Sequence, residues 1–389
     1  MLFRASFVLS VANFHHNWRA KADADVPIVD FRLCAAERAA RARYRGHQTG
    51  ERMNVYELTR ALVDIESISE NEAAVADHLL AHLRTIAATT GGQVEPMAAE
   101  PGRANVLAWW GVPLVTLSTH MDTVPPFFPS REDDGFIWGR GACDAKGIIA
   151  AMIAAAEKLL LEGTRNFALL FVVGEERNSA GAMAAARQPR GSRYLVNGEP
   201  TENKLALASK GTLRLELSAR GRMAHSAYPE LGDSAIEKLL DALEAIRRVP
   251  LPKDDLLGAS TLNIGTISGG RAPNVIPDAA KAELLVRLVG DPAPVREAFA
   301  RAAGTLAELK EVLYIPAIRF ANVDSLPTTV VSYTTDVPVF GRSWGEPLLL
   351  GPGSIHVAHT SEECISKREL ADAVELYADV VKRLLARVD

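Results

Sequence analysis

Five short segments of this chain each end an apolar run with groups that can bind cations or move protons. "VTLSTHMDTVPPFF" delivers His120 and Asp122 where a β-branched run stops, and "WGRGACDAKG" carries Asp144. "VVGEER" carries Glu175 and Glu176, "NGEP" carries Glu199, and "GPGSIHVAHTSEE" adds His356 and His359. Singly, each has an ordinary structural explanation, a satisfied core histidine or a solvated glutamate. Together they are expensive, because several carboxylates buried side by side are prohibitive unless cations neutralise them. An imidazole and carboxylate set without cysteine suits zinc, cobalt or manganese. One carboxylate can bridge two metals, and another outside the ligand set can take a proton from the attacking water. The adjacent pair Glu175 and Glu176 can divide the jobs of base and ligand. The chemistry expected is metal-assisted hydrolysis.

The elements that would position these groups alternate from Met53 onward. Helical spacing runs through "VYELTRALVDI" and "SENEAAVADHLLAHLRTIAA", where Ser69 and Glu72 are spaced as a capping box. Strands are expected at "NVLAWW", "LVTLSTH", "FALLFVVGEE" and "YLVNGEP", with helices at "KGIIAAMIAAAEKLLLEG" and "AGAMAAAR" between them. Apolar strands alternating with helices predict an α/β fold, a doubly wound sheet covered on both faces. Ligands in such sheets bind beyond the carboxyl ends of the strands, where the polar residues collect here.

Near Lys210 the pattern changes. "GTLRLELSARG" alternates with period two, followed by the helix "DSAIEKLLDALEAIRR" and the strands "STLNIGTISGG", "AAKAELLVRLVG" and "EVLYIPAIRFAN". Residues 210–322 thus read as α+β material inserted into an α/β chain made of 53–209 and 323–389. The closing helix "SKRELADAVELYADVVKRLLARV" starts at Ser366 with Glu369 in capping position. Residues 1–52 are rich in arginine, poor in acids and without sustained periodicity, and read as a disordered or spurious extension.

Of the 389 residues, 48% are hydrophobic and 23% charged, which is ample for a core. A net charge of −5 argues against a nucleic-acid surface. Three scattered cysteines, Cys34, Cys143 and Cys364, make no disulfide framework and fit a cytoplasmic protein. No apolar run reaches the length of a spanning helix, so no membrane partner is expected.

The motifs "STHMDTVP", "WGRGACDAKG", "VGEE", "GEP", "AHSA" and "NVIP", in this order, resemble the di-zinc metallopeptidase family of acetylornithine deacetylase, succinyl-diaminopimelate desuccinylase, aminoacylase and glutamate carboxypeptidase. The resemblance covers residue 53 to the end. It implies a zinc-exopeptidase-like α/β domain with a mixed, mostly parallel sheet, plus an inserted α+β dimerisation (lid) domain. It also implies two Zn2+ per subunit, which Co2+ can replace, and a homodimer formed through the inserted domain. Carried over by motif, His120 and Glu199 would hold one zinc, Asp144 would bridge, and Glu176 and His359 would hold the other. His359 fits the family's pattern better than His356. Glu175 would be the general base and Asp122 would orient His120. His225 in "AHSA" would stabilise the oxyanion in the partner's site. Asn274, Arg287 and Lys210 would hold the substrate's carboxylate.

The reaction implied is hydrolysis of an amide next to a carboxylate-bearing product. "LASKG" and "GPGSIHVAHTSEE" are closer to acetylornithine deacetylase and its lysine-pathway relatives, so a small N-acyl amino acid is the expected substrate. The alternative inside the family is a dipeptidase or carboxypeptidase. Outside it stands a catalytically inactive, ligand-binding dimer.

Overall fold

The computed structural model describes residues 53–388, so the reading of residues 1–52 lies outside the described residues. Helix α1 (Val55–Val63) opens with a capping box between Asn54 and Glu57. Helix α2 spans Ala73–Thr90 and corrects the expectation for its start. Its N-cap is Glu72 and no side chain caps it. Ser69 instead donates to Asp122 Oδ2 at 2.7 Å, and Glu72 accepts from Arg103 Nε at 2.8 Å. Tertiary partners with ionised groups took both side chains away from the local cap.

Strands β1 (Gln93–Glu100), β2 (Arg103–Trp110) and β3 (Val115–His120) are followed by the short β4 (Arg131–Glu132) and β5 (Phe136–Trp138). Helix α3 (Lys146–Leu161), β6 (Phe167–Val172), α4 (Ala180–Ala186), β7 (Tyr194–Asn197) and β8 (Leu205–Ser209) complete this run. After the intervening segment come β15 (Ile318–Arg319), β16 (Thr328–Val331), α7 (Val337–Phe340), β17 (Glu346–Leu349), β18 (Cys364–Ser366) and α8 (Lys367–Leu385). The main sheet runs β1-β2-β6-β3-β7-β17-β8-β15, with β16 also on β8. Its centre, β6-β3-β7-β17, is parallel, while β1, β2 and β15 pair antiparallel. The sheet is therefore mixed, with parallel pairing concentrated where the strand ends meet the site.

Burial follows the pleat. In β6, Phe167, Leu169 and Phe171 enter the core under α3 and α8, whereas Ala168, Leu170 and Val172 enter a second core with Ala182, Phe340 and Trp344. Successive side chains of a strand point to opposite faces, so a strand covered on both sides is apolar throughout. The edge strand β1, absent from the expectations, carries Pro96 and only one buried residue, Met97, which left it without a clear period.

Residues between β8 and β15 build a second sheet. It consists of β9 (Gly211–Arg220), β12 (Thr261–Gly269), β13 (Ala279–Leu288) and β14 (Glu308–Ile315), in the order β12-β13-β9-β14, all antiparallel. The small hairpin of β10 (Lys253–Asp254) and β11 (Gly258–Ala259) lies apart from it. Helices α5 (Ala235–Arg247) and α6 (Pro292–Ala303) pack on one face over Leu213, Leu215, Leu284 and Val286. Helix α6 was not anticipated, although Asp291 caps it and Pro292 stands in its first turn, a start signal in plain view. The opposite face carries ion pairs, Arg214 to Glu283 at 2.6 Å and Lys281 to Glu216 at 2.7 Å.

Candidate active site

The carboxyl ends of β3, β6 and β7 and the loop before β18 converge on one cluster. His120 closes β3 and is 1% exposed. Its Nε2 lies 2.9 Å from Asp144 Oδ1. Its Nδ1 is 3.0 Å from the Asp122 carbonyl and 3.5 Å from Asp122 Oδ1. The backbone carbonyl thus orients the ring more closely than the carboxylate does.

The fully buried Asp122 does more than face His120. Its Oδ1 accepts the Glu175 N–H at 3.0 Å, and its Oδ2 accepts the Glu176 N–H at 3.2 Å as well as the Ser69 hydroxyl. The turn that carries both glutamates begins at Gly174, whose φ is +79°. A Cβ there would meet Asn178 Oδ1 at 2.7 Å and Arg103 Nη2 at 2.9 Å, so only glycine fits. Asn105, fully buried on β2, braces the turn by accepting the Val173 N–H at 3.1 Å and donating to the Gly181 carbonyl at 2.9 Å.

On the opposite side His359, half exposed and at φ +63°, presents its Nε2 to Glu176 Oε1 at 2.9 Å and to Asp144 Oδ2 at 3.4 Å. A left-handed backbone at a histidine costs energy and is tolerated where surroundings impose it. His356 makes neither contact; its N–H reaches Ser354 Oγ at 3.5 Å. Asp144 therefore stands between the two imidazoles. Glu199, 4% exposed, has Asn197 Nδ2 at 3.4 Å. The Glu175 carboxylate has no hydrogen-bond partner among the described residues.

Burial and mutual repulsion shift the titration of this cluster. Burial, and then the Glu199 charge, push the Glu175 carboxyl well above the carboxylate range. Burial, and then Asp144, do the same to Glu199. Burial also raises Glu176, against the opposing bond from His359. Burial works against a charged His120, but Asp122 and Asp144 outweigh it and raise its proton affinity well above the usual. His359 is raised to about 10 by its bonds to Asp144 and Glu176. Burial opposes ionisation of Asp144, yet the two imidazoles hold it below the ordinary range.

The donor set fits divalent cations. One ligand atom each from His120, Asp144 and Glu176 lie within 4.8 Å of one another. Two donors at ~2.0–2.1 Å from one zinc stand about 2.9–3.4 Å apart for angles from 90° to tetrahedral. The His120–Asp144, His359–Asp144 and His359–Glu176 separations of 2.9, 3.4 and 2.9 Å match that spacing.

Other expected residues stand elsewhere. His225 is exposed, in a bridge with Val275, and its Nδ1 accepts the Ala227 N–H at 3.1 Å. Asn274, also exposed, accepts the Ser226 N–H on its carbonyl at 3.1 Å. Arg287 donates to Thr212 Oγ1 at 2.8 Å and Lys210 Nζ to the Ala259 carbonyl at 2.7 Å. None of these four touches the His120 cluster among the described residues.

Sequence reasoning missed two acids beside the cluster. Asp336, at the start of α7, is 1% exposed near Ser179, and burial pushes it up to about 7. Glu363 is fully buried against Arg140. Asp336 had only the look of a helix cap in "TTDVPVF", whereas Glu363 and Arg140 lie inside motifs already quoted.

Residues 116–383 match the sequence profile of Peptidase family M20/M25/M40. A peptidase M20 domain-containing protein of Schizosaccharomyces pombe is 37% identical over 339 residues, covering 84% of each chain. A probable carboxypeptidase of Aspergillus niger is 37% identical over 370 residues, 84% of this chain and 89% of its own. Among solved structures, the aminopeptidase PepT of Bacillus cereus superposes with a TM-score of 0.72 at 22% identity, over 85% of this chain and 98% of its own. A dinuclear metal binding peptidase of Bacillus subtilis superposes at 0.60 with 16% identity, over 90% and 99%. The chain belongs to the M20/M25/M40 peptidases, hydrolases of amide and peptide bonds. The specific likeness to acetylornithine deacetylase gains no support, since these relatives are named as carboxypeptidases or by domain only.

Proposed function

We propose that the chain is a two-metal exopeptidase that cleaves the amide bond beside a terminal carboxylate, acting as a carboxypeptidase or dipeptidase. The observation that carries this reading is Asp144 held between His120 and His359, with the Glu175 carboxylate, which has no hydrogen-bond partner among the described residues, alongside. The naming of the Aspergillus niger relative as a probable carboxypeptidase favours it over the N-acyl amino acid deacetylase expected from sequence.

In this proposal His120, Asp144 and Glu199 would hold one cation, and Asp144, Glu176 and His359 the other. When bound, the cations, zinc or cobalt by the chemistry of the donors, would polarise the scissile carbonyl and acidify the attacking water. Glu175 is the general base. Its raised proton affinity and free carboxylate suit it to take the water's proton and return it to the leaving amine. Asp122 holds the N–H groups of Glu175 and Glu176, so base and ligand keep a fixed offset. His225 would reach a partner's site, with residues 210–322 as the dimerising lid. Its exposed position away from the cluster suits that role. Asn274, Arg287 and Lys210 would come to the substrate's carboxylate only after rearrangement, since Arg287 and Lys210 hold internal partners here.

The test is a panel of dipeptides, longer peptides with a free C-terminal carboxylate, and N-acetylornithine with other N-acyl amino acids, each with Co2+ or Zn2+. Faster turnover of the peptides is expected. A clear preference for N-acetylornithine would restore the deacetylase reading. No turnover by wild type beyond that of a Glu175→Gln variant would leave the inactive ligand-binding dimer. Light scattering tests the dimer, and a strictly monomeric active enzyme would remove His225 from the site.

A further inference from the structure

Glu363 is a fully buried carboxylate four residues beyond His359. Its Oε1 accepts three backbone N–H groups, from Gly141 at 3.0 Å, Cys143 at 3.2 Å and Asp144 at 3.1 Å. Its Oε2 accepts Arg140 Nη1 at 2.6 Å. Arg140, itself 2% exposed, donates from Nε to the Pro126 carbonyl at 3.2 Å and lays its guanidinium 4.9 Å above the Phe128 ring. The backbone repeats these links. Gly139 N–H reaches the Glu363 carbonyl at 3.1 Å, and Arg140 N–H reaches the Phe128 carbonyl at 3.1 Å.

One ion pair therefore joins three loops. The first follows His120 and Asp122, the second carries Asp144, and the third carries His359. A buried ion pair is a poor source of net stability, since apolar side chains of similar size often do as well. What apolar side chains cannot do is fix the direction of three consecutive-loop N–H groups. Holding the Asp144 N–H restricts that residue's backbone, and its two oxygens then face His120 Nε2 and His359 Nε2 on opposite sides.

We propose that Glu363, braced by Arg140, is a positioning residue that aims the Asp144 carboxylate so that one group can serve both cations. The inference rests on the two-metal reading above. It assigns Glu363 no contact with substrate or metal.

The experiment titrates the metal-free full chain with Co2+, following its visible absorption, for wild type, Glu363→Gln and Arg140→Lys. Circular dichroism and thermal unfolding of the metal-free forms report folding. Glu363→Gln keeps the shape but drops the charge that gathers the N–H groups and Arg140. It should bind Co2+ about 10–100-fold more weakly, as when a metal ligand's outer support is lost. Its absorption bands should shift, and kcat should fall with KM nearly unchanged. A purely structural role would lower the unfolding temperature and leave the bands of the folded protein as in wild type. That result, with unaltered affinity, overturns the inference. If Glu363→Gln does not fold, Arg140→Lys decides. It keeps the charge and loses the reach to Pro126. Shifted bands then support the inference and unshifted bands overturn it. A wild type that binds no Co2+ would sink the two-metal reading itself, an outcome separate from either.

Discussion

Asp122→Asn tests how far one buried carboxylate organises the site. Asp122 accepts three donors, the Glu175 and Glu176 N–H groups and the Ser69 hydroxyl, and its Oδ1 also faces His120 Nδ1. An asparagine has one accepting oxygen. If its NH2 replaces Oδ1 it points a donor at the Glu175 N–H; if it replaces Oδ2, at the Glu176 N–H. Either way a partly buried N–H is orphaned, at a cost of about 1–3 kcal/mol. The bonds that remain, two in the first orientation and one in the second, become neutral and lose roughly 1 kcal/mol each. Relief of the buried charge offsets part of this and the lost attraction to His120 adds to it, leaving a net loss of ~3 kcal/mol. Denaturant unfolding of the metal-free protein reads that number. Metal affinity should drop about 10–100-fold as the His120 and Glu176 supports loosen, and kcat should fall because Glu175 loses its anchor. A variant with unchanged unfolding midpoint, metal affinity and kcat would refute the role given to Asp122.

Glu175→Gln should lower kcat by about 10²–10⁴-fold while metal binding persists; a loss of metal with the activity would instead mark Glu175 as a ligand. Asn105→Leu leaves the Val173 N–H without its partner and takes one donor from the Gly181 carbonyl, so it should destabilise by ~1–3 kcal/mol in urea, and a neutral result would show that the turn holds itself. The metal-free protein should lose stability as pH rises from 6.5 to 8.5. His120 and His359 bind protons more tightly folded than unfolded, so their contribution is complete below ~6.5 and is lost toward the folded value, about 10 for His359. The raised Glu175, Glu176 and Glu199 carboxyls act in the same direction, since each ionises at a cost as pH climbs. The lowered Asp122 and Asp144 matter only in acid. Added Zn2+ or Co2+ should flatten the slope, and a metal-free protein more stable at pH 8.5 than at 6.5 would contradict the charge balance described.

The chain's own order already placed a carboxylate or an imidazole at the ends of apolar strands, because strand period and composition are local properties. The sheet buried on both faces was legible for the same reason in β6, which is apolar at every position. The Ser366 cap of α8 was legible too, since the accepting hydroxyl and the Glu369 N–H that donates to it are three residues apart. Local spacing failed where distant charges competed. Ser69 and Glu72 looked like a cap and are spoken for by Asp122 and Arg103, 53 and 31 residues away. Asp336 carried no local mark of its buried place beside the cluster. Glu363 meets the Asp144 N–H across 219 residues of sequence. Sequence alone thus determined which groups could do hydrolytic chemistry and on which kinds of element they sit. Only the tertiary structure showed His359, the histidine the motif favoured, facing Asp144 and Glu176, and Asp122 and Glu363 holding the loops around them. Those choices are made by hydrogen bonds between loops that close only when the sheet brings its strand ends together.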